Sequence, residues 1–340
     1  MHMIDLSNDR QNMVYVGQTP WHRLGTEFTG NETFDEWRVA AGFAWKALTK
    51  TLSYKATHAA GHEVDVVLPS HKALVRSDTE TVLSVVSKDY KVVQPATVLE
   101  FFRDLVFASE GRYEMETAGC LFGGKRIWAL AKMKGEYRVG GIDVIKPYLL
   151  LGTSFDLTTS TFASYTTVRV VCHNTLSASV GTDGKRADVR IPHLATFDEQ
   201  AIKQTLGLLA DNEGAAFDRF IETANVLADR KIVDNEMFNY FAGLYGPKRE
   251  EGQSVNDLRV GDFTNSQKRN IDQLILLFKR GPGADMPTAD GTAWGLVNSV
   301  THFEDFSRGK NDISRLQSSA FGVGKRRKEQ AVVEALALAA

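Results

Sequence analysis

Several short stretches carry residue types that could do chemistry. Gly119-x-x-x-x-Gly124–Lys125 has the opening spacing of a phosphate-binding loop. Such a loop needs a Ser or Thr after the lysine to hold magnesium, and a helix whose N-terminus faces the phosphates. Here Arg126 follows, then the strand-like Ile127–Trp128–Ala129–Leu130, so both requirements fail. The spacing reads as a glycine hairpin turn instead. Cys172–His173–Asn174 sets a nucleophile beside its usual partners. Adjacent strand residues point to opposite faces, so this histidine cannot readily activate this cysteine, and a buried thiol is the preferred reading. Asp156, with Ser154 and Thr158, suits a cation or a nucleophile, and an Asx-type turn explains the group equally well. His58, His62 and His71 invite a metal, but Ala59–Ala60–Gly61 does not make the helix that the spacing of the first two would need. No Cys or second carboxylate motif completes a site, so these read as solvent-exposed loop histidines.

The basic residues form a more suggestive pattern. Lys125 and Arg126 sit at one hairpin, and Lys185, Arg186 and Arg190 in a polar stretch between Gly181 and His193. Lys325–Arg326–Arg327–Lys328 is a charge run ahead of an alanine-rich last helix, and the aromatics Tyr54, Phe155, Phe162 and Tyr165 lie on or near strands. Basic grooves with aromatic stacking are how single-stranded nucleic acid is held. Solvated surface explains each cluster as well, since the net charge of -2 offers no global basic field.

The elements that must position these residues follow from periodicity. Tyr148 to Leu151 reads as a buried strand and Phe162 to Val171 as a second, with Arg169 on the face opposite Val168 and Val170. Asn174 reads as the N-cap of a short helix from Thr175. Further strands are expected at Trp45 to Thr57, Glu63 to Leu68, Lys72 to Ser77 and Val82 to Ser87. A hairpin pairs Tyr113 to Ala118 with Arg126 to Lys132, and helices are expected at Thr33 to Ala41 and Thr97 to Ser109. Trp21, beside His22, reads as a plug for an edge of the core or as a ligand lip.

From Phe197 the period becomes helical: Ile202 to Leu227, Glu236 to Tyr245, Ser266 to Arg280 and Thr292 to Phe303. The fold class is therefore α+β, with antiparallel strand meanders and packed helices followed by a mainly helical C-terminal part. The domains divide as 1–200 and 201–340.

With 340 residues and 43% hydrophobic content, the chain can bury a sizeable core. The two cysteines, Cys120 and Cys172, suit a reducing compartment. Met1 to Gln18 shows no apolar signal core, and no run approaches the roughly 20 apolar residues of a membrane helix. A cytoplasmic protein, within a host cell, is expected.

Four blocks carry a resemblance: Trp21–His22–Arg23–Leu24–Gly25–Thr26, Gly119 to Trp128, Val168 to Leu176 and Thr292 to Asn298. Together they resemble the phage/plasmid-like protein family, whose main domain is catalogued as of unknown function. The resemblance implies a mobile-element origin and brings no catalytic residues. It also implies a small residue after Asp156, where this chain has Leu157. The layout is similar to the core of single-strand annealing proteins, which share a basic groove around an oligomeric ring.

The reading that results is a non-enzymatic protein that binds or anneals single-stranded DNA in recombination or replication, as a homo-oligomer such as a ring. No cofactor is required and no metal site is assigned, though a divalent ion could assist the binding. Lys125, Arg126, Arg169, Lys185, Arg186 and Arg190 would neutralise phosphates, with Phe155 and Tyr165 as stacking platforms. Arg169 would either face a groove or pair, buried, with a carboxylate such as Asp156. The alternatives are an enzyme acting on a phosphorylated substrate through Asp156 and Arg169, and an accessory or counter-defence protein that binds host proteins.

Overall fold

A computed structural model describes residues 4–17, 25–58, 61–169, 175–177, 189–206, 215–248, 254–310, 314–315, 318–319 and 322–340. The chain forms two compact units, and each draws on separate segments. The first holds Met1–Lys134, Leu149–Ala163 and Asp188–Thr205; the second holds Gly135–Tyr148, Ser164–Ala187 and Leu206–Ala340. Residues 201–205, read above with the helical part, thus belong to the first unit.

The first unit is built on strands. β1 (Met13–Val16), β2 (Thr26–Phe28), β6 (Tyr113–Leu121) and β7 (Arg126–Met133) lie side by side in the order β7, β6, β1, β2. The end of β9 (Asp143–Ser154) lies next to β7, and the start of β10 (Thr161–Arg169) follows it. β12 (Val189–Ile191) pairs antiparallel with that start, setting Arg190 opposite Phe162. β1 and β2 pair parallel, whereas β1 with β6, β6 with β7 and β10 with β12 pair antiparallel. α2 (Pro95–Ala108) packs on β6 and β7. It opens with proline in its first turn, where the missing N–H costs nothing, and buries Val98, Leu99, Phe101, Phe102 and Leu105. Each such side chain contributes roughly 1.5–3 kcal/mol. α1 (Phe34–Ala40) starts on a reciprocal cap, with Thr33 and Glu36 each accepting from the other's backbone N–H.

A second sheet in this unit has the order β3 (Ala47–Thr57), β4 (Glu63–Arg76), β5 (Val82–Ser87). The two strands expected at Glu63 to Leu68 and Lys72 to Ser77 are one strand. The register slips between Thr51 and Ser53, whose partners are Lys72 and Val67. Pro69 lies in that slip, where a missing N–H is tolerated. α3 (Glu199–Thr205) closes the unit.

The second unit is mainly helical. It contains α4 (Ala215–Asp229), α5 (Asp234–Tyr245), α6 (Asn265–Arg280), α7 (Ala293–His302) and α8 (Val323–Ala339). α7 is buried from Ala293 to Thr301 and is the centre of the unit. β8 (Tyr137–Val139) pairs with the start of β9. Asp143 on β9 is fully buried and accepts from Trp294 Nε1 at 3.1 Å and Thr288 Oγ1 at 3.3 Å.

The α+β class and the helical C-terminal region agree with the sequence reading. A further element differs. The expected helix from Thr175 is instead β11 (Thr175–Ser177), antiparallel to β10, with Thr175 opposite Val168. The partner strand overrides the local capping signal. Asn174, Cys172, His173, Trp21 and His22 lie outside the described residues. No helix among the described residues is long and apolar enough to cross a membrane.

Candidate functional site

The glycine-rich turn that mimics a phosphate loop is a tight β6–β7 hairpin. Phe122, Gly123 and Gly124 all have positive φ, at 58°, 69° and 86°. A side chain on Gly124 would come within 2.8 Å of Arg76 Nη1 and 2.9 Å of Trp45. Gly119 is excluded from carrying one by Trp128, its cross-strand partner, at 2.5 Å. The glycine spacing therefore serves packing and turn geometry.

Beneath the turn lies a buried ionic network. Arg76 Nη1 donates to Asp5 Oδ2 at 2.6 Å and to the Gly123 carbonyl at 3.0 Å, and Nη2 donates to Asp78 Oδ2 at 2.7 Å. Its guanidinium lies 4.7 Å from the centre of the Trp45 ring.

Arg126 is only 8% exposed. Its Nε donates to Thr158 Oγ1 at 2.9 Å, Asp156 Oδ2 stands 3.7 Å away, and the Phe122 ring lies 4.9 Å from the guanidinium carbon. Asp156 also receives the backbone N–H of Thr158 at 3.1 Å and the Thr158 hydroxyl, which makes an Asx turn. Asp156 is thus held by Arg126. Leu157, next in the turn, has φ +62°, which accounts for the small residue implied there by the resemblance.

The same end of the sheet is tied to neighbouring segments. Tyr90 donates its hydroxyl to the Ser154 carbonyl at 3.1 Å, and its ring stacks on His193 at 4.7 Å. His193 Nε2 reaches the Thr159 carbonyl at 2.9 Å, and the Lys91 N–H donates to the His193 carbonyl at 2.5 Å. Burial, and then the nearby Asp156 charge, push the Tyr90 phenol well up, so it stays neutral. The Phe155 N–H donates to the Lys125 carbonyl at 2.7 Å. These bonds bring Lys88, Lys91, Lys125 and Arg190 to one margin of the first unit, with Lys88, Lys91 and Arg190 exposed and Lys125 half-buried. Asp89 is the acidic residue in the same connection.

Of the residues proposed from sequence, Lys125, Arg126 and Arg190 lie on these joined segments. Lys185 and Arg186 lie outside the described residues, as does the side chain of Arg169. Asp156, the carboxylate considered for a buried Arg169, is held by Arg126. Phe155 and Tyr165 are corrected. Each is 1% exposed: Phe155 packs edge-on against Trp45, and Tyr165 against Phe217 with its hydroxyl on the Leu206 carbonyl at 3.0 Å. Both rings fill cores and present no face to a base. Lys88 and Lys91 were missed, although the pattern Lys88–Asp89–Tyr90–Lys91 was there to read.

The charge run Lys325 to Lys328 also differs from expectation. It lies inside α8 and not ahead of it. Lys328 is buried and bonds Asp305 Oδ1 at 2.7 Å and Ser319 Oγ at 2.8 Å. Arg327 Nη1 lies 3.5 Å from Glu304, which also accepts from Tyr245 at 2.7 Å and Arg308 at 2.9 Å. Cations in the first turn of a helix oppose its dipole, and these two carboxylates offset them. His58 and His62 stack at 4.8 Å, and among the described residues no group of His, Cys, Asp and Glu could hold a metal ion.

The family described as Domain of unknown function (DUF932) matches residues 82–336. No curated protein and no solved structure matches the chain.

Proposed function

Because the chain belongs to the DUF932 family, a domain of unknown function, we propose a function from its own geometry: it binds single-stranded DNA by the phosphate backbone. The observation that supports this is the basic margin of the first unit, where Lys88, Lys91, Lys125 and Arg190 lie on segments joined through the Tyr90–His193 stack and its bonds. Arg126 braces the turn through Asp156 and is not a phosphate contact. With Phe155 and Tyr165 in the core, contact at this margin is electrostatic and tolerant of sequence. That suits a protein that coats or anneals strands in recombination or replication, in the phage- or plasmid-borne setting of the resemblance. An enzymatic role for Asp156 is less well supported, since Arg126 and Thr158 already occupy its oxygens.

The test is a titration of a labelled single-stranded oligonucleotide over a series of salt concentrations. Each phosphate contact on a single strand contributes about −0.7 to the slope of log affinity against log salt, so this margin supplies a slope of roughly −3. Replacing Lys88, Lys91, Lys125 and Arg190 by alanine should flatten it. A folded parent that shows no binding at low salt overturns the proposal.

A further inference from the structure

The β3–β4 ribbon projects beyond the sheet that β5 completes. β5 pairs with β4 only from His71 to Val75, whereas β3 and β4 continue together as far as Thr57 opposite Glu63. Past the register slip the ribbon has two strands. Its apolar side chains are open to solvent: Tyr54, opposite Val66, is 55% exposed, and Val64, opposite Ala56, is 36% exposed. A two-stranded ribbon is marginal in water on its own. Among the described residues no further strand pairs with its two outer edges, along β3 and along β4 from Glu63 to Leu68, and such edges are templates for another strand.

The charges on the edges differ. β3 carries Lys50 and Lys55 and no acidic residue. The free segment of β4 carries Glu63 and Asp65, and no lysine or arginine before Lys72. Two β3 edges would set lysines against lysines, and two β4 edges carboxylates against carboxylates. A β3 edge against a β4 edge sets opposite charges side by side. The intrachain ion pairs of these lysines, Lys55 with Glu63 at 3.0 Å and Lys50 with Glu80 at 4.0 Å, are exposed and weak enough to exchange.

We infer that the β3 edge of one copy adds to the free β4 edge of a second copy of this chain, so that the ribbons join head to tail. The contact uses different surfaces on the two partners. It therefore continues from copy to copy, as a closed ring or an open chain. The backbone hydrogen bonds supply the pairing, Lys50 and Lys55 against Glu63 and Asp65 set its direction, and Tyr54 and Val64 extend the apolar face across the junction. This inference does not rest on DNA binding.

The experiment is a solution mass measurement by light scattering, with circular dichroism to verify folding. The parent should exceed the 37.6 kDa of one chain. Lys50→Glu with Lys55→Glu makes both edges acidic, and Glu63→Lys with Asp65→Lys makes both basic. Each double variant alone should fall to the mass of one chain. An equal mixture of the two should regain the parent mass, because every junction then joins an acidic edge to a basic one. A merely intrachain role for these residues would not respond to mixing. A parent of one-chain mass, double variants that keep the parent mass, or a folded mixture that stays at one-chain mass would each overturn the inference.

Discussion

Arg76 and Asp5 lie 71 positions apart in sequence and 2.6 Å apart in the fold, each with a side chain only 2% exposed. Arg76 also binds Asp78 and the Gly123 carbonyl, so one guanidinium joins the N-terminal segment, the end of β4 and the β6–β7 turn. Removing one partner of a buried pair leaves an uncompensated charge, which costs about 3–5 kcal/mol. Arg76→Ala should lose that much stability in denaturant titration. Asp5→Asn, which keeps shape and leaves Asp78 in place, should lose less, about 1–3 kcal/mol.

Leu157 holds a left-handed backbone, with φ +62°, and its side chain is exposed. A branched side chain costs roughly 1–2 kcal/mol in that region, against 0.5–1 kcal/mol of extra chain entropy for glycine. Leu157→Gly should therefore leave stability unchanged or raise it by up to about 1 kcal/mol, while Leu157→Val should lower it. Thermal melts of the two variants check this. A Leu157→Gly protein that melts well below the parent would show that the side chain contributes packing.

Two carboxyl groups should give stability opposite dependences on pH. Burial pushes the Asp5 carboxyl up, but bonds from Ser7 and Arg76 outweigh it and hold the group below the usual carboxylate range. Its contribution is complete above the ordinary aspartate value of about 3.9 and is lost as pH falls through its lowered folded value. Burial raises the Glu304 carboxyl above its ordinary value, against the Tyr245 bond and the Arg308 charge. The native state there keeps its proton longer, so stability falls as pH rises from about 4.3 through the raised value. Asp5→Asn should flatten the acid limb of a stability–pH curve measured by denaturant, and Glu304→Gln should flatten the falling limb above it.

Gly119 and Gly123 separate two reasons for glycine. Gly119→Ala would drive a methyl into the Trp128 ring and toward the Asn12 carbonyl, and overpacking of this kind costs about 1–3 kcal/mol. Gly123 has open space around it and only a φ of +69° to satisfy, so Gly123→Ala should cost about 1 kcal/mol. Neither substitution should create or remove magnesium-dependent nucleotide hydrolysis, and an assay that detected such loss would restore the phosphate-loop reading.

The sequence disclosed local features well and distant pairings poorly. The β6–β7 hairpin was legible because alternation and glycines mark it within twenty residues or so, and the helix over α6 because its apolar stripe repeats within a few turns. β11 was not, because three residues become a strand only when β10 lies beside them. The single strand through Pro69 was hidden for the same reason: only the register with β3 shows that the chain continues. Aromatics in strands do not reveal which face is covered, which is how Phe155 and Tyr165 were misread. Arg126 finds Asp156 across a strand connection, and Lys328 finds Asp305 across a turn, neither of which periodicity can show.

The interleaved segments have a consequence for how the protein is made. The chain passes between its units after residues 134, 148, 163, 187 and 205. A ribosome delivers these segments in order, so the first unit cannot close until β12 and α3 have emerged. β8 and the start of β9 must meanwhile wait for the helices from Leu206 onward. Closure that depends on distant segments is slow, and unpaired strands stay exposed in the interval. Neither unit is one uninterrupted stretch of coding sequence, so neither can be moved into another gene as a cassette.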